Sequence, residues 1–325
     1  MPTAPIHVVT GANGFVGNNL VRGLLERGLR VRAVVHHAAD HLEGLNIEIV
    51  KADVTDRASL DAAFAGAQRV YHCVALISLL GDPGGRVHAT NVGGAENAAR
   101  AALAAGVKKY VHISSCHAFA LETGPITEDN PRPGRKHPAY DRSKAAGEAA
   151  VRDAIADGLD AVIINPAGIL GPFDFQPSPV GEFIAQMGTD GLLALIDGGF
   201  HWVDVRDVVD GAIAAGDNGT TGAGYLLASE YASIPQLNAW THEITGKPPP
   251  RFTVPMWLAR VGGPFVDTAA RLGFTPLYTS EYLHPLRASQ EMPCTRARQE
   301  LGWSPRPVRE SIADVFAWRA EQELA

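Results

Sequence analysis

The chain has 325 residues, of which 46% are hydrophobic and 19% charged, with a formal net charge of −7 at pH 7. At about 150 residues per domain this is material for two domains, or one large domain with an appended lobe. Apolar residues spread along the whole chain exclude a disordered polymer, no apolar run reaches the roughly 18–20 residues of a bilayer span, and the acidic balance argues against nucleic acid as a partner.

The first half alternates strands with helices. Strands are expected at Ile6–Thr10, Arg30–Val35, Ile47–Lys51, Arg69–Val74, Tyr110–Ser114 and Ala161–Asn165. Helical patterns fall between them, at Phe15–Arg27, Asp56–Ala65, Asn91–Ala105 and Tyr140–Asp157. This alternation implies parallel pairing through right-handed crossovers, and the Val- and Ile-rich strands suit a sheet buried on both faces. The fold class is therefore α/β, a doubly wound parallel (Rossmann) sheet with a smaller C-terminal substrate lobe. Ligands of such sheets bind beyond the carboxyl ends of the strands, at the switch point. After Pro172 the pattern turns irregular, although a helix at Val205–Ala215 and a strand at Tyr225–Ala228 return to the sheet, and Val308–Glu323 reads as an amphipathic helix. The expected division is a dinucleotide-binding domain, residues 1–172 with 203–229, and a substrate lobe from 173–202 and 230–325. Cys73, Cys116 and Cys294 are too far apart for a disulfide framework or a metal site, so no metal is expected. The first strand begins at Ile6 with no apolar leader before it, which sets the expected location as the cytoplasm.

Three elements carry chemistry. Thr10-Gly11-Ala12-Asn13-Gly14-Phe15-Val16-Gly17 follows a strand and opens a helix. Gly11 allows the tight turn, Gly14 clears the way for a pyrophosphate, and Gly17 lets the helix approach the sheet. The helix N-terminus then faces the phosphates with free N–H groups. Strand two ends in His36-His37, where NAD-binding sheets place an acid and NADP-binding ones a base. With neither carboxylate nor arginine there, the expected cofactor is NADP, with NAD the alternative. Asp53 is placed to meet the adenine edge or to cap the next helix, a task Thr55 or Asp56 can also perform. The third element is Tyr140-Asp141-Arg142-Ser143-Lys144, whose i, i+4 spacing puts tyrosine and lysine on one helix face. A lysine ammonium one turn away favours the phenolate. Ser114 and Ser115, at a strand end 25 residues before Tyr140, supply a hydroxyl.

With these motifs the sequence resembles the extended short-chain dehydrogenase/reductases, the NAD-dependent epimerase/dehydratase superfamily. Further support comes from His72-Cys73-Val74-Ala75, Asn91-Val92-Gly93-Gly94, Gly171-Pro172, Trp202–Asp207 and Leu301-Gly302-Trp303-Ser304-Pro305. The resemblance implies that Tyr140 is the acid–base residue, that Lys144 tunes it and binds the nicotinamide ribose, and that Ser115 orients the substrate oxygen. It also implies cofactor contacts at Gly11, Asn13, Gly14, Phe15, Val16, Gly17, His36, Asp53, Val54, Val74, Ala75 and Pro166, besides Tyr140 and Lys144. Asn91 would support the active-site end of its helix or simply cap it. Val74 replaces the alanine of the usual HxAA. Asn165–Phe173 is similar to the dihydroflavonol-reductase-like branch, which reduces aromatic or alicyclic ketones. Sugar-nucleotide dehydratases need an acidic pair after the catalytic hydroxyl, and Cys116 and His117 stand there instead. His117 reads as a substrate contact or as a loop histidine without a role.

The implied function is an NAD(P)H-dependent ketone reductase or alcohol dehydrogenase acting on a small molecule, with no nucleic-acid or membrane partner. The alternatives are a nucleoside-diphosphate-sugar epimerase with retained NAD and a non-catalytic dinucleotide sensor. Arg251, Arg260, Arg271 and Arg287 would hold a pyrophosphate or face solvent. Trp240, Trp257, Phe265, Phe274, Tyr278 and Tyr282 read mainly as core, with one or two lining an apolar pocket. The Ala-rich helices Asn91–Ala105 and Tyr140–Asp157 suggest a homodimer, as in the family, or packing on their own sheet.

Overall fold

The computed structural model describes residues 5–78, 81–122, 124–189, 192, 194–250, 252–271 and 283–324. The chain runs β1 (Ile6–Thr10), α1 (Phe15–Glu26), β2 (Arg30–Val35), β3 (Glu48–Lys51), α2 (Arg57–Phe64), β4 (Ala67–His72), α3 (Arg86–His88), α4 (Gly94–Ala104), β5 (Lys109–Ile113), α5 (Ala139–Ala156) and β6 (Ala161–Pro166). It continues through β7 (Gly168–Leu170), α6 (Pro179–Met187), β8 (Leu195–Asp197), β9 (Gly199–Asp204), α7 (Val205–Asn218), β10 (Gly224–Leu227), β11 (Glu230–Ser233), α8 (Ile234–Thr245), β12 (Thr253–Pro255) and α9 (Met256–Arg271). Two more helices, α10 (Thr295–Leu301) and α11 (Val308–Leu324), close it.

Seven strands form one sheet in the order β10-β6-β5-β4-β1-β2-β3, each pair parallel. Strand order reverses between β1 and β4, so the turn after β1 lies at the switch point. Helices cover both faces, with α1 against α7 on one and α2, α4 and α5 on the other. Each side has its own apolar layer, one containing Leu20, Leu24, Val208 and Ala212, the other Leu60, Phe64, Ala98 and Val151. Val8, Val9, Val70, Val111, Ile163 and Ile164 are fully buried, which is why these strands read as continuous apolar runs.

Expected boundaries shift by a few residues. Strand β4 ends at His72, because beyond the Cys73 N–H, which still donates to Thr10 at 3.2 Å, the chain leaves the sheet over its carboxyl edge. The helix expected from Asn91 begins with a π-helical stretch, Ala89–Gly93, before α4. The C-terminal helix buries Val308, Ile312, Val315 and Trp318, a single stripe at helical spacing.

Two smaller sheets stand beyond the carboxyl edge. One has the order β11-β9-β7, the other pairs β12 with β8. The Trp202–Asp207 and Leu301–Pro305 motifs meet here. Trp303 Nε1 donates to the Asp207 carbonyl at 2.8 Å, and the Arg306 N–H donates to the Asp207 carboxylate at 2.8 Å. Among the aromatics expected mainly in the core, Trp257 and Phe265 are instead 67% and 77% exposed on α9. Among the described residues, α9 packs mainly on β8 and β12. Phe274, Tyr278 and Tyr282 lie outside the described residues, as does Arg251. Arg260 and Arg287 are exposed. Among the described residues no helix is long and apolar enough to cross a membrane.

Candidate active site

The glycine turn is closed by sterics. Gly11 has φ +65°, a left-handed conformation that favours glycine. A Cβ on Gly17 would lie 2.1 Å from the Gly11 carbonyl oxygen, so the first turn of α1 can sit on the Gly11-Ala12 backbone because position 17 has no side chain. Gly14 is the extended N-cap of α1 and offers no side-chain acceptor, so no side chain caps the first-turn N–H groups, and they face the switch point. Asn13 Oδ1 is buried without a hydrogen-bond partner. An orphaned polar atom beside an uncapped helix start, over a turn with no room for a Cβ, fits a dinucleotide pyrophosphate.

The neighbouring strand ends extend this cradle in both directions. His36, exposed after β2, places Nε2 3.3 Å from Asp53 Oδ2. Asp53 Oδ1 accepts from the Thr55 N–H and hydroxyl, both at 2.8 Å, and these bonds, chiefly, hold its carboxyl below the usual range. Helix α2 is capped by Asp56, whose carboxylate accepts from the Ala58 N–H at 3.0 Å, so Asp53 is not needed as its cap. Val54 is buried beside Asp53. Arg32 is tied to Glu48 at 3.0 Å and to the Ala63 and Ala65 carbonyls, away from the β2 end. After β4, half-buried Val74 faces Gly11 and Ala75 is exposed. His72 Nδ1 lies 2.8 Å from Thr10 Oγ1, tying β4 to β1, and burial lowers this histidine's pKa to about 3.

The other end of the cradle holds Ser115, Tyr140 and Lys144. The structure separates the two serines. Ser114 donates to the buried Glu148 carboxylate at 2.6 Å, whereas the Ser115 hydroxyl accepts from the His117 N–H at 3.2 Å and is the side chain that favours the Tyr140 phenolate. Tyr140 and Lys144 share one face of α5, and Lys144 Nζ donates to the Ile113 carbonyl at 3.1 Å. Burial pushes the Tyr140 phenol upward, with Ser115 the group that pulls it back. Burial lowers Lys144 to about 8, with Glu148 opposing. The direct lysine effect expected from the i, i+4 spacing is therefore not what sets the phenol's affinity for its proton in this state. Pro166 is buried at the end of β6, next in the row of strand ends.

Several residues that hold this constellation escaped the sequence reading. Glu148 lies one turn beyond Lys144 and is 1% exposed. It accepts from Ser114 and from Asn165 Nδ2, and ion-pairs with Arg132 at 2.8 Å. Asn165 Nδ2 also donates to the Ser115 carbonyl at 3.0 Å. A continuation of the Tyr140–Lys144 spacing to i+8 was the available signal. Asn91 acts as expected for a support, although its partners were not legible. It pairs with both backbone groups of Leu76, at 2.7 and 3.0 Å, and donates to Ser143 Oγ at 2.9 Å. Ser143 in turn donates to the Tyr140 carbonyl at 2.7 Å. The loop after β4 and the start of α5 are thus fixed to one side chain.

Residues 7–228 match the NAD dependent epimerase/dehydratase family. Sterol demethylase protein B of Methylococcus capsulatus is 35% identical over 324 residues, 98% of this chain and 99% of that protein. A putative dihydroflavonol 4-reductase of Synechocystis is 32% identical, over 95% of this chain and 93% of its own length. The crystal structure of gox2253 is 30% identical and matches 98% of both chains with a TM-score of 0.86. A sheet, a glycine cradle and relatives that run the length of the chain agree, and the chain belongs to the NAD dependent epimerase/dehydratase family, as an NAD(P)-dependent oxidoreductase of the branch that holds dihydroflavonol 4-reductase-like proteins.

Proposed function

We propose that this protein is a carbonyl reductase or alcohol dehydrogenase with a preference for NADP(H), and that Ser115, Tyr140 and Lys144 carry its chemistry. The observation that supports this most is the meeting of a serine hydroxyl, a tyrosine phenol and a buried lysine at the carboxyl end of β5. The nicotinamide, when bound, supplies or accepts the hydride. Tyr140 donates a proton to the carbonyl oxygen as the alcohol forms and takes it back in the reverse direction. Ser115 donates a hydrogen bond to the same oxygen and stabilises the charge that develops there. Lys144, with a pKa near 8, is cationic at neutral pH. One of its three donors is used by Ile113, which leaves the others for a ribose hydroxyl. Its charge lowers the phenol's proton affinity once the site is closed to water.

What supports NADP is the end of β2, where His36 and His37 stand in the place of the strand-end carboxylate, with Asp53 Oδ2 held 3.3 Å from His36 Nε2. A bulky alicyclic or aromatic ketone is supported by relatives named for sterol and dihydroflavonol chemistry, and by the His117 ring beside Tyr140 with the Phe200 ring against it. We read residues 1–172 with 203–229 as the dinucleotide domain, and residues 173–202 and 230–325 as the substrate lobe. We read α4 and α5 as a homodimer face, which sedimentation of the purified protein tests. The function itself is tested by following nicotinamide absorbance with both cofactors against a panel of alicyclic and aromatic ketones and alcohols. The expected result is turnover with a lower KM for NADP(H). No absorbance change across the panel sinks the reading.

A further inference from the structure

Beside Tyr140 stands a second acid–base pair that the hydride step does not use. His117 lies in the short turn that follows Ser115, and its ring is 5.7 Å from the Tyr140 ring, edge-on, and 5.5 Å from Phe200. Its Nδ1 is 2.9 Å from Asp141 Oδ1. The Asp141 side chain is 4% exposed and the His117 side chain 17%. A carboxylate on one ring nitrogen fixes the tautomer: Nδ1 carries the proton, and Nε2 presents its lone pair. Among the described residues Nε2 has no hydrogen-bond partner and is not sealed off.

The pair continues outward. Asp141 Oδ2 is 3.7 Å from His284 Nδ1, and His284 Nε2 is 2.7 Å from Glu122, which also faces His137 Nε2 at 3.4 Å. His137 and His284 line an open cavity of about 400 Å³ together with Lys136 and Arg142. Carboxylates and imidazoles therefore alternate from the side of Tyr140 to solvent. A surface ion pair needs no such burial, and it does not put an imidazole ring beside the phenol.

We infer that His117, held by Asp141, is a second general base and acid that enolises the bound ketone at the carbon next to its carbonyl. This rests on the ketone reading above. With the carbonyl oxygen on Ser115 and Tyr140, the flanking carbon falls toward the side wall that His117 forms. Nε2 takes the α-proton, the C–H electron pair becomes the enolate C=C bond, and the carbonyl π pair moves to the oxygen held by the two hydroxyls. Asp141 balances the imidazolium charge. The proton then returns to carbon, so no electron leaves the substrate and no co-reactant is needed. The substrate class is a ketone with a hydrogen on the adjacent carbon, for which the protein would move that proton in addition to reducing the carbonyl.

The test is deuterium incorporation from D2O into the α-position of cyclohexanone and of the ketone reduced fastest, by proton NMR, with oxidised cofactor bound so that reduction cannot occur. Wild-type protein is expected to exchange the α-proton at least about 10²-fold faster than buffer. His117→Asn should lower the ratio of exchange to reduction at least tenfold, and Asp141→Asn should lower it in the same direction, with circular dichroism checking that each variant is folded. Reduction without exchange in the wild type overturns this inference and leaves the reductase reading standing. Exchange at the wild-type rate in folded His117→Asn also overturns it. If neither reduction nor exchange occurs with any ketone, both readings fall.

Discussion

At Gly17 and Gly147, near the carboxyl edge of the large sheet, there is no space to add an atom, while along α9 large side chains meet solvent. A Cβ on Gly17 would collide with the Gly11 carbonyl at 2.1 Å, and one on Gly147 of α5 would approach the Asn91 carbonyl at 2.4 Å. On α9, Trp257, Val261 and Phe265 are 67%, 63% and 77% exposed, with Phe252 nearby at 69%. Both regions are rich in residues that attract notice in a sequence. The edge is fixed by backbone approach over short separations, which a glycine spacing reports. The α9 surface depends on what packs against it, which aromatic content does not report. Substitutions should therefore be costly at the edge and nearly silent on α9, and a reversal of that order would break the contrast.

The largest effect is expected at Tyr140. Tyr140→Phe removes a hydroxyl and little else, so folding and cofactor affinity should survive while turnover falls by about 10² to 10⁴. Single-turnover hydride transfer measures this directly. Near-parental turnover would remove Tyr140 from the acid–base role. Gly17→Ala comes next. Overpacking of this kind costs about 1–3 kcal/mol, and here it moves the start of α1 off the turn. Cofactor affinity should fall at least tenfold, read by fluorescence titration, with a lower melting temperature. An unchanged affinity would show that the close approach of α1 to Gly11 is not what forms the cradle.

Lys144→Met sharpens the contrast from the other side, because it should stabilise the edge while disabling it. Burial lowers the lysine from its ordinary 10.5 to about 8. Below pH 8 the folded protein holds a buried charge that the unfolded chain carries in water, so the penalty is fully present. It shrinks between pH 8 and 10.5 and is gone above that. The shift corresponds to about 3 kcal/mol, and loss of the bond to Ile113 takes back about 1 kcal/mol. The apoprotein should therefore gain about 2 kcal/mol at pH 7 and lose about 1 kcal/mol at pH 11, by denaturant unfolding, with activity lost. A destabilised variant at pH 7 would mean that the ammonium is compensated in its site.

The sequence made the sheet legible because its signals are local. Strands β1 and β2 fall where alternation with helices put them, and Gly11, Gly17 and the Tyr140–Lys144 pair work through spacings of a few residues. The supports were not legible for the opposite reason. Asn165 meets Glu148 and the Ser115 backbone only after β5 and β6 pair, and Asn91 reaches Ser143 across 52 residues. The contacts of Asp141 are of the same kind, since they depend on His117 and His284 arriving from opposite directions in the chain. The two small sheets were the least readable part. They are built from strands of three to six residues, and the β9–β11 pairing and the β8–β12 contact give no periodic pattern long enough to recognise.

The smallest expected effect is the most informative about α9. Exposed apolar side chains with no partner contribute little to folding, so substitutions there stay within about 0.5 kcal/mol. Trp257→Ser and Phe265→Ser should each leave the unfolding midpoint unchanged, and the double variant should show additive, near-zero effects. The reason is specific to these positions: Ala259, on the same helix, is fully buried, so α9 is anchored through its other face, which neither substitution touches. Ala259→Asp is the matched control, since it puts a charge on the anchored face and should cost more than 2 kcal/mol. If the serine variants cost as much as the aspartate control, the two rings are covered in solution, and α9 follows the same rule of close contact as the sheet edge.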